Sequence, residues 1–167
     1  MSVRWPNWMK GSLKPDETIG GHKMLRWFLL PPTRRFAIYL HKHQADDPRE
    51  PHDHPADNIS IRLWGDLTEH VPVTGPGDTL LIRGAYPVMH GREVWFLGQH
   101  AITHAVKLPR FRRRRAEDVH RLETTGKPAY TIWIRFRARR TWGYYESSGW
   151  RPAVTRNQPP EYEETLA

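Results

Sequence analysis

The sequence contains no cysteine. Its absence excludes a disulfide framework and a thiolate metal site, so any bound metal must rely on histidine, carboxylate, amide and water ligands. A chain without cysteine suits a reducing compartment, and we expect a cytoplasmic protein. No stretch approaches the roughly 20 apolar residues of a transmembrane helix, and the N-terminal residues lack the apolar core of a signal peptide. We therefore expect no membrane partner.

Several catalytic signatures are also missing. The sequence has no nucleophile elbow, no P-loop, no dinucleotide-binding glycine fingerprint and no zinc-protease motif. Each motif positions a nucleophile, a phosphate or a metal in a defined way, so serine-hydrolase, nucleoside-triphosphatase and dinucleotide-dependent mechanisms are disfavoured. No recognition helix, zinc finger or RNA-recognition motif is seen either, which leaves nucleic-acid binding supported by charge alone.

That charge is strongly positive. The chain has 26 Lys and Arg against 18 Asp and Glu, a formal net charge of +8 and a pI near 10.1. Such an excess attracts anions and makes an anionic small molecule or nucleic acid a plausible partner. Part of the charge lies in four consecutive arginines at 112–115.

A second basic segment alternates with apolar residues in the sequence "TIWIRFRARR". On a strand, Arg135, Arg137 and Arg139 would share one face, opposite the isoleucines. Two interpretations remain open: a solvated outer face with the apolar residues in the core, or an anion-attracting rim beside a binding site. On the second interpretation we expect Arg113, Arg135 and Arg137 to contact the substrate.

The pattern of apolar residues predicts strands rather than helices. Short β-branched and aromatic segments recur between turn residues, and 15 prolines argue against long helices. With 167 residues and 38% hydrophobic content, the chain can bury one core. We predict one all-β domain over 21–150, preceded by an N-terminal extension over 1–20 and followed by a polar tail over 151–167. The strands suggest a jelly roll or another double-sheet sandwich.

Histidines supply the clearest candidate for chemistry. His52 and His54 stand two positions apart, and on a strand both side chains would point into the same space. Chance alone gives roughly 0.6 such pairs in a chain with this many histidines, so the spacing by itself is weak evidence. His41 and His43 form a second pair, which we expect at a cavity rim.

The setting of the first pair resembles a known family. The spacing His52-x-His54-x3-Asn58-x6-Gly65 is similar to the first motif of the cupin superfamily, in which a glutamate usually stands where this chain has Asn58. The second cupin motif adds one histidine after a Pro-x-Gly turn. Here His120 has a fitting position without those turn residues. The stretch over 36–150 also resembles small cupin-like proteins of bacterial and phage genomes.

This resemblance implies a cupin-type double-stranded β-helix, a jelly-roll barrel with little helix. It also implies that His52, His54 and His120 bind one divalent transition metal, with Asn58 as a weak fourth ligand. Fe(II) is favoured, and Zn, Ni, Cu or Mn are alternatives because imidazole accepts all of them. The usual set of two histidines and a carboxylate would need Glu69 or Asp57. A homodimer is common among cupins.

Three functions follow as hypotheses. The first is an Fe(II) oxygenase or hydroxylase that acts on a small, anionic substrate. The second is a metal-binding isomerase or epimerase, with Glu69, His43 or Tyr144 as proton carrier. The third is a non-catalytic module that binds an anion or nucleic acid. The opposing structural explanation is that His52 is a loop residue and His120 an interfacial side chain, with no metal between them.

Overall fold

A computed structural model describes residues 4–20, 23–47, 50–73, 85–88, 92–97, 100–146 and 149–153. These residues form antiparallel strands and one short 3-10 helix, Asn7–Lys10. The strands are β1 Glu17–Ile19, β2 Met24–Phe28, β3 Ala37–His43, β4 Asn58–Trp64, β5 Leu67–Pro72, β6 Ala85–Val88, β7 Arg92–Leu97, β8 His100–Ala101, β9 Thr103–Lys107, β10 Phe111–Arg114, β11 Arg121–Thr124, β12 Ala129–Arg135, β13 Gly143–Glu146 and β14 Gly149–Pro152. The predicted all-β class with little helix is confirmed.

Two of the sheets pack against each other. The larger has six strands in the order β1-β2-β3-β12-β4-β10, and the smaller has three in the order β11-β5-β9. Leu67, Leu108 and Ala129 form one buried cluster with Leu122 against it, which packs β5 and β11 of the small sheet on β12 of the large one. The facing sheets enclose an interior into which alternate residues of each strand point.

The N-terminal segment is integrated into this structure. Strand β1 lies within the expected N-terminal extension, yet it pairs with β2 at the edge of the large sheet. The Asp16 carboxylate accepts hydrogen bonds from the backbone N–H groups of Asn7 and Phe28, at 2.7 and 2.8 Å. This part of the extension therefore belongs to the sheet.

Strand β12 corrects the interpretation of the basic segment. The strand ends at Arg135, so Arg137 and Arg139 lie beyond it and do not share its face. Thr131 and Arg135 are buried on the inner face, whereas the isoleucines of the same strand lie half-buried on the outer face. The register explains this, because it pairs Arg135 with Ala37 and Asn58, which are themselves buried. The expectation of a solvated arginine face over an apolar core is therefore wrong for this strand.

The glycine of the histidine motif has a clear conformational role. Gly65, between β4 and β5, has φ 74°, and a Cβ there would lie 2.6 Å from the carbonyl oxygen of Pro128. Both the positive φ and the close approach require glycine. The turn thus sends the chain from the large sheet to the small one.

Most of the predicted polar tail, from residue 154 onward, lies outside the described residues. Within the described part of the chain, no helix has the length and hydropathy that a membrane crossing would need.

Candidate metal centre

The first histidine pair lies on a short connecting segment rather than on a regular strand. His52 makes a single β-bridge to His120, with N···O distances of 2.8 and 3.0 Å, and a second bridge to Tyr144. Pro51 and Pro55 flank the pair, and because proline has no N–H the ladder cannot extend through these positions. The bridge nevertheless places the backbones of His52 and His120 side by side.

The residue between the two histidines anchors the segment. The Asp53 side chain is fully buried, and its carboxylate accepts hydrogen bonds from Gly143 N at 2.7 Å and from the Tyr145 hydroxyl at 3.0 Å. Arg140 Nη2 lies 2.8 Å from the same group. Burial raises the pKa of Asp53, while these partners act in the opposite direction. Sequence reasoning missed this role, although a short carboxylate in a proline-bounded loop often binds backbone N–H groups.

The three histidines named from the sequence converge. His52, His54 and His120 each offer a ring nitrogen, and these atoms all lie within 4.8 Å of one another. The Nε2 atoms of His54 and His120 are 2.8 Å apart. The His52 ring centroid lies 5.2 Å from each of the other two. One end of the barrel interior therefore presents three imidazoles to one point.

The electrostatic environment keeps these rings neutral. Burial lowers the pKa of His52, and it lowers the pKa of His54 and His120 well below the ordinary histidine value. The Arg114 charge lowers the pKa of all three rings, and a proton on either neighbouring imidazole would disfavour one on His54. For His52 the carboxylates of Asp47 and Asp53 act in the opposite direction. Neutral imidazole is the form that binds metals, so no deprotonation cost opposes binding near neutral pH.

The geometry of these residues fits a divalent transition metal. Imidazole nitrogens bind such ions at about 2.0–2.1 Å, which places adjacent ligands about 3 Å apart. The 2.8 Å separation of the His54 and His120 Nε2 atoms is close to that value. His52 Nδ1 is buried without a hydrogen-bond partner, as is Asn58 Oδ1. A set of nitrogen donors suits iron, zinc, nickel, copper or manganese better than a hard cation such as calcium.

Glu69 lies against the third histidine. Its side chain is 2% exposed, and its Oε1 atom lies 3.1 Å from His120 Nδ1. Arg114 contacts the same oxygen through Nε at 2.8 Å and Nη2 at 2.7 Å. The carboxylate is therefore held between a buried guanidinium and the side of the His120 ring that faces away from His54. In this position it can orient the imidazole, as carboxylates behind metal-binding histidines do.

The two other oxygen ligands considered from the sequence lie in different environments. Asn58 is fully buried, and its Nδ2 donates to the Ala56 carbonyl at 3.4 Å while Oδ1 has no partner. Asp57 instead accepts hydrogen bonds from Ala116 N and Arg139, each at 2.8 Å. The Arg139 hydrogen bond is the main reason that the pKa of Asp57 is lowered. Asn58 thus keeps a free acceptor, whereas Asp57 is engaged elsewhere.

The second histidine pair is interior. His41 and His43 are 4% and 6% exposed, so they lie inside the barrel and not at its rim. The His43 Nε2 atom is 3.1 Å from Thr131 Oγ1. Burial lowers the pKa of both histidines. Tyr144, the other proposed proton carrier, is half-buried with its ring centroid 5.9 Å from that of His52, and burial raises its pKa.

The predicted substrate-binding arginines lie in different environments. Arg113 is exposed on β10, where it lines a cavity of about 360 Å³ with Arg114, Arg115 and Asp118. Arg135 is buried and donates to the Thr33 carbonyl at 2.7 Å. Arg137 is exposed beyond the end of β12.

Sequence reasoning missed Arg26 on β2, an interior arginine that contacts His41. Its Nε donates to His41 Nε2 at 2.9 Å. The available signal was the alternation in "MLRWF", which places this arginine on the same face as the apolar Met24 and Phe28.

Comparison with known proteins concerns the fold. No protein-family model matches the chain, and no curated protein sequence matches it significantly. A Klebsiella pneumoniae protein with a double-stranded β-helix domain is 12% identical, with 78% of this chain aligned to 89% of that one at TM-score 0.45. An RmlC-like cupin from Shewanella frigidimarina is 13% identical, with coverages of 77% and 88% and TM-score 0.47.

A third solved structure is Bacillus subtilis oxalate decarboxylase, which is described with Mn(II) centres. It is 15% identical and has TM-score 0.44, and 78% of this chain aligns to only 29% of the decarboxylase. Identities this low concern the fold and not the activity. Among the solved structures that this chain resembles in fold are one described as an RmlC-like cupin and one described with a double-stranded β-helix domain.

Proposed function

We propose that this protein is a metal-dependent enzyme, an Fe(II) oxygenase or hydroxylase that acts on a small anionic substrate. The observation that supports the proposal is the convergence of His52, His54 and His120 within 4.8 Å, in an environment that keeps all three imidazoles neutral. Three protein ligands are fewer than a closed structural site uses, which is typical of catalytic metal sites.

The chemistry supplied by such an ion follows from the ligand set. Three neutral imidazoles leave the full charge of a divalent ion uncompensated, so it retains Lewis acidity and open coordination positions for small molecules. The protein's own residues do the remaining work: Asp53 fixes the segment that bears His52 and His54, and Glu69 orients His120 through its Nδ1 side. Asn58 Oδ1, buried and without a partner, is the candidate for a further weak ligand.

Metal content and oxygen uptake test this proposal together. Protein purified without a polyhistidine tag should contain about one equivalent of a transition metal, and after reconstitution with Fe(II) it should consume oxygen when a metabolite pool is supplied. The His52→Ala variant should lose both properties, because two imidazoles hold an ion far more weakly than three. Absence of metal from the wild-type protein, or unchanged metal content in the variant, would overturn the proposal.

Two other functions give different results in the same assays. An isomerase or epimerase would need the metal but would convert substrate without consuming oxygen, with Tyr144, His43 or Glu69 moving the proton.

A binding module would use the cavity beside Arg113 and Arg115. Its affinity for DNA would fall steeply on Arg113→Gln and Arg115→Gln replacement while metal content stayed the same. A homodimer and a cytoplasmic location stay predictions, which sedimentation and cell fractionation would measure.

A further inference from the structure

A second group of interior residues lies beside the metal centre. Trp133 on β12 stacks on two rings of β3: Tyr39 at 5.7 Å with 16° between planes, and His41 at 5.7 Å with 27°. Tyr39 and His41 are themselves stacked at 5.9 Å and 11°. The strand register explains the arrangement, since Trp133 pairs with Tyr39 and Thr131 with His41. The three rings, with nearly parallel planes, form an aromatic wall inside the barrel.

Arg26 lies over this wall. Its guanidinium carbon is 4.6 Å from the Tyr39 ring centroid and 5.7 Å from that of Trp133. While Nε donates to His41, Nη1 donates to the Glu17 carboxylate at 2.9 Å. The Arg26 side chain is 19% exposed, so the guanidinium reaches solvent from an otherwise enclosed position. A carboxylate therefore already occupies one edge of this guanidinium.

The aromatic wall lies next to the candidate metal centre. The Trp133 ring centroid lies 6.0 Å from that of His54. The aromatic wall and the three imidazoles are therefore direct neighbours in the barrel interior. Aromatic faces and guanidinium groups together favour planar molecules that carry a negative charge.

The carboxylate partner of Arg26 is easier to displace than the partners of Arg114 and Arg140. Glu17 belongs to a three-residue edge strand, is 27% exposed and is shared with Arg4, which is itself 55% exposed. By contrast, the Glu69 partner of Arg114 and the Asp53 partner of Arg140 are at most 2% exposed. Exchange of an exposed carboxylate for a ligand carboxylate costs little, whereas removal of a buried one leaves a charge uncompensated.

We propose that Arg26 and the aromatic wall of Tyr39, His41 and Trp133 form the subsite for the carboxylate of a planar substrate, and that Glu17 occupies this subsite until the substrate displaces it. The proposal rests on the proposed function, since it supplies the substrate class for that metal centre. It assigns the anion-binding role to Arg26 in place of Arg113, Arg135 and Arg137.

Benzoate is a suitable probe, measured by calorimetry and by tryptophan fluorescence on the full chain with and without Zn(II). Wild-type protein should bind benzoate, and Arg26→Gln should weaken binding about 10- to 100-fold, because one charge-assisted contact is lost. Glu17→Gln should tighten binding, since the internal competitor is removed. Arg113→Gln should leave it unchanged. Benzamide, which is planar but uncharged, should bind far more weakly than benzoate.

Glu17→Gln makes the test independent of damage to the fold, because a destabilised protein would not gain affinity. No benzoate binding by the wild-type protein, equal binding by Arg26→Gln, or weaker binding by Glu17→Gln would each overturn the subsite. The metal proposal can fail separately. Benzoate binding that depends on Arg26 in a protein that takes up no metal would overturn the enzyme function and support the subsite. Metal uptake without benzoate binding would overturn the subsite and support the enzyme function.

Discussion

The protein contains two His-x-His pairs of identical spacing, and the structure gives them different surroundings. His41 and His43 lie on a regular strand and contact residues of the same sheet, Arg26 and Thr131. His52 and His54 lie on a connecting segment and meet His120, which follows them by 66 positions or more. His41 and His43 are buried and His52 and His54 are half-buried, and desolvation lowers the pKa of all four. Spacing and lowered pKa values are therefore shared, and the presence of a third imidazole distinguishes the candidate metal centre.

The largest expected effect comes from removing the third histidine. His120→Ala should abolish metal binding. This loss should exceed the decrease in metal affinity, about 10- to 100-fold, that follows when a metal ligand loses its hydrogen-bond partner. His41→Ala should retain about one equivalent of metal, because its ring lies outside the group of three. Elemental analysis of tag-free protein measures both. Equal metal loss in His120→Ala and His41→Ala would contradict the assignment of the metal to His52, His54 and His120.

The next effect is acid destabilisation, to which both pairs contribute. The pKa of each of these four histidines and of His120 lies below 6.5 in the folded protein. As the pH falls below about 6.5, the unfolded chain binds protons that the folded protein excludes, so stability decreases by up to about 1.4 kcal/mol per pH unit for each such histidine. Above that pH these groups contribute no pH dependence.

Urea unfolding at a series of pH values from 8 to 5 measures this slope. Replacement of both residues of the 41/43 pair by glutamine should reduce it, and added Zn(II) should stabilise the wild-type protein above pH 6.5. A stability that does not change between pH 6.5 and 5 would contradict the burial of neutral imidazoles.

A smaller effect should follow from loss of the anchor that only the 52/54 pair has. Asp53→Ala removes a buried partner of Arg140, Gly143 and Tyr145, and we expect a loss of about 3–5 kcal/mol in the free energy of unfolding. Asp66→Ala is the matched control, since Asp66 is 47% exposed and forms surface ion pairs with Arg62 and Lys107. It should cost less than about 1 kcal/mol. Denaturant titration measures both, and equal losses would show that Asp53 is not an anchor.

The smallest effect concerns the orientation of one ligand. Glu69→Gln keeps the shape of the side chain but removes its charge, and we expect metal affinity to fall about 10- to 100-fold. Glu123→Gln is a matched control, because Glu123 contacts His70 at 2.8 Å, outside the metal centre. Competition with a chromogenic chelator measures affinity without reference to activity. An unchanged metal affinity in Glu69→Gln would contradict the proposal that the Glu69 carboxylate orients His120 for metal binding.

Much of this arrangement was predictable, and particular residues show why. The β-branched segments and prolines predicted an all-β chain, and the motif from His52 to Gly65 indicated two candidate ligands and a turn that needs glycine. The motif also led to His120. The inward position of Arg135 was not predictable, because alternation defines two faces without saying which one faces the interior. In most sheets the buried face is apolar, but here histidine, arginine and glutamate are buried together with apolar residues.

By itself, then, the sequence determined the strand content, the available ligand chemistry and the spacing of the two histidine pairs, because these follow from residue type and local periodicity. Only the tertiary structure decided that Arg135 faces the interior, that Asp53 anchors the segment of the first pair, and that Arg26 contacts His41 while Arg114 lies against Glu69. These outcomes depend on register between strands far apart in the chain and on the packing of one sheet over the other, and neither is encoded in any short segment.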